Sequence, residues 1–100
     1  MKSFRRTTII SKEFNFQDLT KEGGFKVKYP RIPTYIRATM FYHTEYGWQN
    51  FDKDLKGYMH TLGYDYKMDV FNKKELIITA TPVETPPSFR MLAIIDVWYD

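Results

Sequence analysis

The chain has 100 residues, enough for one domain with a single hydrophobic core, and its 43% hydrophobic and 27% charged content is typical of a globular protein. It contains no cysteine, so disulfides, thiolate nucleophiles and thiolate metal sites are excluded. No apolar run is long enough for a signal peptide or a membrane-spanning helix. We therefore expect a soluble cytoplasmic protein without membrane contacts.

The net charge of +3 is distributed unevenly along the chain. Residues 1–44 contain nine basic and three acidic side chains, which gives +6, and residues 45–100 contain six basic and nine acidic ones, which gives −3. If the fold separates these halves, the basic side could contact an acidic partner or the acidic side of a second copy. The charge pattern therefore favours binding through surfaces, including self-association.

The first part of the chain is predicted to form strands. Aromatic residues make up 18% of the sequence, and together with β-branched residues they favour a strand over roughly residues 4–14. One helical turn over residues 17–22 and a turn at Gly23–Gly24 follow. Residues 25–29 then alternate apolar and basic side chains, so we predict a half-buried strand with its lysines in water.

A connection and a second long strand come next. Pro30 and Pro33 predict an extended connection over residues 30–33, because proline cannot donate to the hydrogen bonds of a sheet. For residues 34–44 a helix is the competing interpretation, since alanine, methionine and arginine tolerate helices. The threonine and aromatic content of this segment favours a strand.

The clearest helical period in the chain lies between Trp48 and Gly63. Apolar side chains recur there at i, i+4, i+7, i+8 and i+11 and form one stripe: Phe51, Leu55, Tyr58, Met59 and Leu62. Asn50 is suited to cap the N-terminus of this helix, and Gly63 suits a left-handed C-terminal cap. We predict one helix that lies across the sheet and closes its core.

Further strands are predicted after the helix. Residues 66–71 and 75–81 flank a short polar turn and indicate a hairpin, and the prolines of residues 82–88 indicate a loop. Residues 89–99 are apolar on both faces, which is typical of a central strand covered on both sides. Asp96 interrupts this pattern, and if it is buried it needs a partner such as Arg37 or Arg90.

These elements predict a single α+β domain over residues 1–100. We expect an antiparallel or mixed β-sheet of about five to six strands with one amphipathic helix packed on a face. One helix cannot cover so many strands. A second apolar surface should therefore be covered by a partner, or the sheet should curl onto itself.

No motif in the sequence indicates catalysis. There is no phosphate-binding loop, dinucleotide fingerprint or nucleophile elbow. The spacing of His43, Glu45, His60 and Asp65 matches no common zinc site. We expect no catalytic residues, no metal site and no cofactor, and we interpret the protein as a non-enzyme.

The strongest candidate for a binding surface is residues 25–37, which combine cations with aromatic rings and contain no acidic residue. Such a segment suits a polyanion, because cations contact phosphates and rings stack on bases. In the alternative interpretation the lysines are the solvated side of a strand and the rings belong to the core. The residues predicted to contact a partner are Lys26, Lys28, Arg31, Tyr35 and Arg37.

We expect a small non-catalytic binding protein that acts through protein–protein contacts, as an inhibitor, adaptor or assembly subunit. Its basic N-terminal half, acidic C-terminal half and excess of aromatic residues serve such contacts without requiring a motif. Two alternatives stay open. The protein could bind nucleic acid through residues 25–37, or it could be a structural subunit of a larger homo-oligomeric assembly.

Overall fold

The computed structural model of the chain describes residues 5–69, 74–81 and 85–100. In these ranges the elements are, in chain order, β1 (Arg5–Ile10), β2 (Phe14–Asn15), α1 (Phe16–Leu19), β3 (Phe25–Lys28), β4 (Tyr35–Thr44), β5 (Gly47–Asn50), α2 (Phe51–Asp54), α3 (Lys56–Thr61), β6 (Tyr66–Asp69), β7 (Glu75–Ala80) and β8 (Arg90–Tyr99). The predicted α+β class and the antiparallel pairing are confirmed. The prediction of one helix and five to six strands is wrong, since the described residues form eight strands and three short helices.

The strands form two antiparallel sheets. Sheet A has the order β1-β8-β4-β5, and β2 also pairs with β8; sheet B has the order β3-β7-β6. The pairing with β8 is interrupted between β1 and β2, and Ser11 maintains hydrogen bonds to β8 at this point. Its backbone N–H donates to the Ala93 carbonyl oxygen at 2.9 Å, and its hydroxyl accepts from the Ala93 N–H at 2.8 Å. The predicted strand over residues 4–14 is therefore divided into two shorter ones.

The core lies between the two sheets, because each sheet turns one apolar face inward. Alternate residues of β8 point into it, as do alternate residues of β3 and β7, and all of them belong to one buried cluster. The rings of Phe14 in sheet A and Phe25 in sheet B stack with their centroids 4.2 Å apart, which joins the sheets directly. The predicted alternation over residues 25–29 is confirmed, with Lys26 and Lys28 exposed.

The helical region differs from the prediction. Residues 48–50 belong to β5, and the helix is divided at Leu55, whose φ of −124° and ψ of −27° are not helical. Only part of the predicted stripe is buried: Leu55 packs against the core together with Phe51 and Met59. Phe51 and Met59 are buried, whereas Tyr58 is 63% and Leu62 50% exposed.

Both predicted caps of this region are present. The Asn50 side chain accepts from the Lys53 N–H at 2.9 Å, and Gly63 has a φ of +82°. None of the helices in the described ranges is long and apolar enough to span a membrane.

Most predicted strands are confirmed. Residues 35–44 form a strand rather than a helix, and β6 and β7 pair as the predicted hairpin, although residues 70–73, which include the end of the predicted first strand and part of the predicted turn, lie outside the described part of the chain. The first residues of the predicted loop, 82–84, lie outside it as well. Residues 90–99 form the central strand of sheet A, as predicted, but the described elements cover only one of its faces.

Phe51 and Asp52 connect the start of α2 to both sheets. The Phe51 ring is fully buried among aromatic rings, including those of Tyr42 in sheet A and Tyr66 in sheet B. The Asp52 carboxylate accepts a hydrogen bond from the Tyr66 hydroxyl and a long one, 3.5 Å, from the Met40 N–H. Burial and this hydrogen bond raise the pKa of the Tyr66 phenol well above its usual range.

Gly24 lies where β3 approaches β7 and should not tolerate a side chain. Its φ is +62°, and a Cβ there would overlap the Ile78 carbonyl oxygen and lie 2.7 Å from the Thr79 methyl group. We expect Gly24→Ala to lower the free energy of unfolding by more than about 2 kcal/mol. Gly57→Ala is the control, because nothing lies within 4 Å of its added Cβ, and it should be neutral or stabilising by up to about 1 kcal/mol. Urea denaturation measures both, and equal effects would contradict the close approach.

Phe51 should contribute more to stability than any position in the exposed part of the predicted stripe. We expect Phe51→Ala to lower the free energy of unfolding by about 3–5 kcal/mol, because it opens a cavity among buried rings. Leu62→Ala, at a half-exposed position, should cost less than about 1 kcal/mol. Thermal and chemical denaturation of the two variants compare them, and a Leu62→Ala protein as unstable as Phe51→Ala would refute this arrangement.

Candidate functional site

The fold divides the basic and aromatic segment of residues 25–37 between two surfaces. Lys26 and Lys28 project from the outer face of sheet B, whereas Tyr35 and Arg37 project from the outer face of sheet A. The inner faces of both sheets share one core, so these outer faces point in opposite directions. The structure therefore does not bring the five predicted contact residues together.

Arg31 and the remaining rings of this segment have structural contacts. The Arg31 guanidinium lies over the Tyr99 ring, 4.3 Å from its centroid, in the connection between the sheets. Phe25 and Tyr29 are buried in the core and cannot stack on an external base. Burial raises the pKa of the Tyr29 phenol to about 12. All four predicted cations of the segment are nevertheless exposed, and for Lys26 and Lys28 this was expected from the alternation.

The outer face of sheet A, the sheet with more strands, carries Tyr35 and Arg37 of this segment. We call it the open face and define it by the even-numbered side chains of β8 from Arg90 to Trp98 and the side chains level with them on β1, β4 and β5. The apolar members of this face are not among the residues that pack on the core. No described element covers it, so the predicted coverage of this strand on both sides is not seen within residues 5–69, 74–81 and 85–100.

An apolar band crosses the middle of the open face. Ile10, Ile94 and Thr39 are level on three neighbouring strands, and Leu92 and Phe41 form the next row. Ile94, Leu92 and Phe41 are partly exposed, and Ile10 is 65% exposed. These side chains leave apolar surface in water at the centre of a sheet, where further burial would be favourable.

A charged row and two aromatic rings lie at one end of the band. The Thr8 hydroxyl donates to the Asp96 carboxylate at 2.7 Å, and Arg37 Nη2 donates to it at 3.1 Å. These two hydrogen bonds hold the pKa of Asp96 below its ordinary value, and the bond from Thr8 has the larger effect. The rings of Tyr35 and Trp98 are 5.2 Å apart in the adjoining row. Arg37 is thus the partner that the sequence suggested for Asp96.

A second ion pair and a second tryptophan lie at the opposite end. Arg90 binds Glu13 with two hydrogen bonds, of which the one from Nε to Oε2 is 2.9 Å long. The bond from Arg90 lowers the pKa of the Glu13 carboxyl. The Arg90 guanidinium also lies 5.6 Å from the centroid of the Trp48 ring, and the His43 ring meets that ring edge-on at 5.0 Å.

These ion pairs show that the basic and acidic halves of the sequence are not separated in space. Arg37 and Glu13 come from the first half, and Asp96 and Arg90 from the second. The halves mix because β8 lies between β1 and β4 in sheet A and β7 lies beside β3 in sheet B. The open face is therefore nearly neutral, and the condition under which the two halves would present opposite charges is not met there.

The histidines and carboxylates considered for a metal site have other contacts. His60 Nδ1 lies 2.7 Å from Asp65 Oδ1, and His43 packs on Trp48. Within residues 5–69, 74–81 and 85–100, no group of three or more histidine and acidic side chains is placed to hold a metal ion.

Sequence reasoning missed most of the open face. It selected Tyr35 and Arg37 but not Trp48, Leu92 or Trp98, which lie on the same face. The available signal was the second apolar face of residues 89–99, which was interpreted as coverage on both sides.

Comparison with known proteins adds no assignment, because no protein-family model, curated protein or solved structure matches the chain.

Asp96 allows a direct test of the charged row. Because its pKa in the folded protein lies below the ordinary value of 3.8, ionised Asp96 contributes stability above pH 3.8, and this contribution is lost as the pH falls through the lowered pKa. In an NMR titration of the carboxyl carbon we expect a pKa below 3.8, raised by Thr8→Val and, to a smaller extent, by Arg37→Gln.

The control for this titration is Thr39→Val, which changes a residue of the next row that does not contact Asp96. It should leave the pKa of Asp96 unchanged. A pKa of Asp96 that does not respond to Thr8→Val or Arg37→Gln would contradict the hydrogen bonds of the charged row.

Proposed function

We propose that the protein is a non-catalytic binding module that contacts a protein partner through the open face of sheet A. The observation that carries this proposal is the uncovered apolar band at the centre of the sheet, with Ile10, Leu92, Ile94 and Phe41 at least partly exposed. Contiguous apolar surface rimmed by polar groups is characteristic of sites that another macromolecule covers. The apolar band crosses the middle of the open face and has an ion pair at each end, so it matches this description.

The residue types around the band also favour a protein partner. Trp48, Trp98, Tyr35 and the arginines Arg37 and Arg90 lie at its two ends. Tryptophan, tyrosine and arginine are the residues that most often dominate the binding energy of protein interfaces. Their packing on one another holds the rings in place before binding, which reduces the entropy lost when a partner is bound.

The charges of the open face argue against a nucleic acid as its ligand. Binding to phosphates requires cations that are available to replace counterions. Arg37 is held by Asp96 and Arg90 by Glu13, so two of the arginines on this face are already neutralised. Lys26 and Lys28 lie on the opposite surface of the molecule, and Phe25 and Tyr29 are buried. Nucleic-acid binding by residues 25–37 stays an untested alternative with weaker support.

Site-specific photocrosslinking tests this proposal. A benzophenone amino acid at Thr39, in the apolar band, should give protein-sized adducts when the chain is irradiated in the cells that produce it. The matched control is Thr79, another half-buried threonine on an outward face, but on β7 of sheet B. We expect at least several-fold more protein adduct from Thr39 than from Thr79.

The nature of the adduct decides between the alternatives. Adducts that resist nuclease and are removed by protease support a protein partner. Adducts at Thr39 that nuclease removes, or equal yields at Thr39 and Thr79, would contradict the proposed function.

A further inference from the structure

We propose that the open face is covered by a second copy of this chain, so that two sheets A stack face to face in a homodimer. This inference rests on the proposed function and names its partner. The result would be a four-layer assembly with the order sheet B, sheet A, sheet A, sheet B. Face-to-face stacking of sheets about 10 Å apart is a common way to bury such a surface.

The area of the open face is comparable in order of magnitude to that of a protein interface. Along β8 it runs from Arg90 to Trp98, which is about 27 Å for an extended strand. Three of its strands lie side by side at any level, either β1, β8 and β4 or β8, β4 and β5, and together they span about 14 Å. The projected area is on the order of 400 Å², and the accessible area of the protruding side chains is larger. Standard protein interfaces bury about 800 Å² on each partner, which is of the same order.

The net charge of the face permits self-association. Its arginines Arg6, Arg37 and Arg90, together with the paired carboxylates of Asp96 and Glu13, sum to three minus two, or +1. Two copies of a nearly neutral face repel each other little, although each chain carries +3. An acidic partner, in contrast, would find few free cations on this face.

The order of residues on the face is complementary to itself. A two-fold axis between the stacked faces, parallel to the strands and midway between β8 and β4, places each residue of β8 opposite its neighbour on β4 of the second copy. Because Asp96 is level with Arg37, Asp96 of each copy then faces Arg37 of the other. Both symmetry-related contacts therefore join opposite charges, so this part of the face is complementary to itself about a two-fold axis.

The apolar rows match in the same way. Leu92 is level with Phe41, so that each leucine faces a phenylalanine of the second copy, and Ile94 faces Thr39. Trp98 and Tyr35 face each other at the end of the interface. The contacts that bury most apolar area therefore lie at the centre, with the ion pairs and aromatic rings around them, which is the usual anatomy of an interface.

The test is the mass of the purified full chain, measured by sedimentation equilibrium from low to high micromolar concentration. We expect a dimer of about 24 kDa, twice the 12.0 kDa of the chain. Ile94→Lys should shift the protein to a monomer. The matched control is Ile77→Lys, which changes a half-buried isoleucine on the outward face of β7, the central strand of sheet B, and should leave the dimer intact.

A charge swap tests the geometry and does not depend on whether Ile94→Lys folds. Asp96→Arg places an arginine opposite Arg37 of the second copy, and the dissociation constant should rise about tenfold or more. The double variant Asp96→Arg with Arg37→Asp restores opposite charges both within each copy and between copies. It should return the dissociation constant to within about threefold of the wild-type value. Circular dichroism confirms that each variant is folded.

Two results would overturn the inference. One is a wild-type chain that stays at 12.0 kDa at every concentration. The other is a dimer whose dissociation constant in folded Ile94→Lys and in the charge variants equals that of the wild type. If the chain is monomeric but Thr39 crosslinks to a different protein, the proposed function stands and the homodimer does not. If a dimer forms that these variants do not affect and Thr39 captures no protein, both proposals fail.

Discussion

The hydrogen-bonding requirement of β8 organises the molecule. A central strand must satisfy its backbone groups on both sides, and β8 does so with β1 and β2 on one side and β4 on the other. This pairing fixes the register of sheet A, and the register directs Met91, Ile95 and Val97 into the core. The same register necessarily directs the alternate residues outward, so the composition of the open face follows from the pairing that builds the core.

Sequence patterns over a few residues predicted the features that depend only on neighbouring residues. The alternation over residues 25–29, the turn at Gly23–Gly24 and the caps at Asn50 and Gly63 depend on neighbouring residues, and they are present as predicted. The division of the helix at Leu55 was not predictable in this way. Phe51, four residues earlier, has contacts that a local pattern does not contain either, because its ring packs on side chains from both sheets.

The candidate site shows where sequence reasoning reaches its limit. Alternation indicates that Lys26 and Lys28 share a face, but it does not indicate which way that face points in the folded chain. That direction depends on the pairing of β3 with β7, and the connection after β3 passes from one sheet to the other. The neutralisation of Arg37 by Asp96 likewise requires two strands that are distant in sequence to be neighbours.

The place of β8 in the chain also bears on how the protein is made. Thr8 and Asp96 are 88 residues apart, and β1, β2 and β4 have no common neighbour until β8 has been synthesised. Before that point a nascent chain can form only the β4–β5 hairpin and sheet B, with the apolar sides of the other strands unpaired. Such long-range pairing slows folding and exposes strand edges to aggregation. The apolar sides of β1, β2 and β4 therefore lack their shared neighbour during synthesis until β8 emerges.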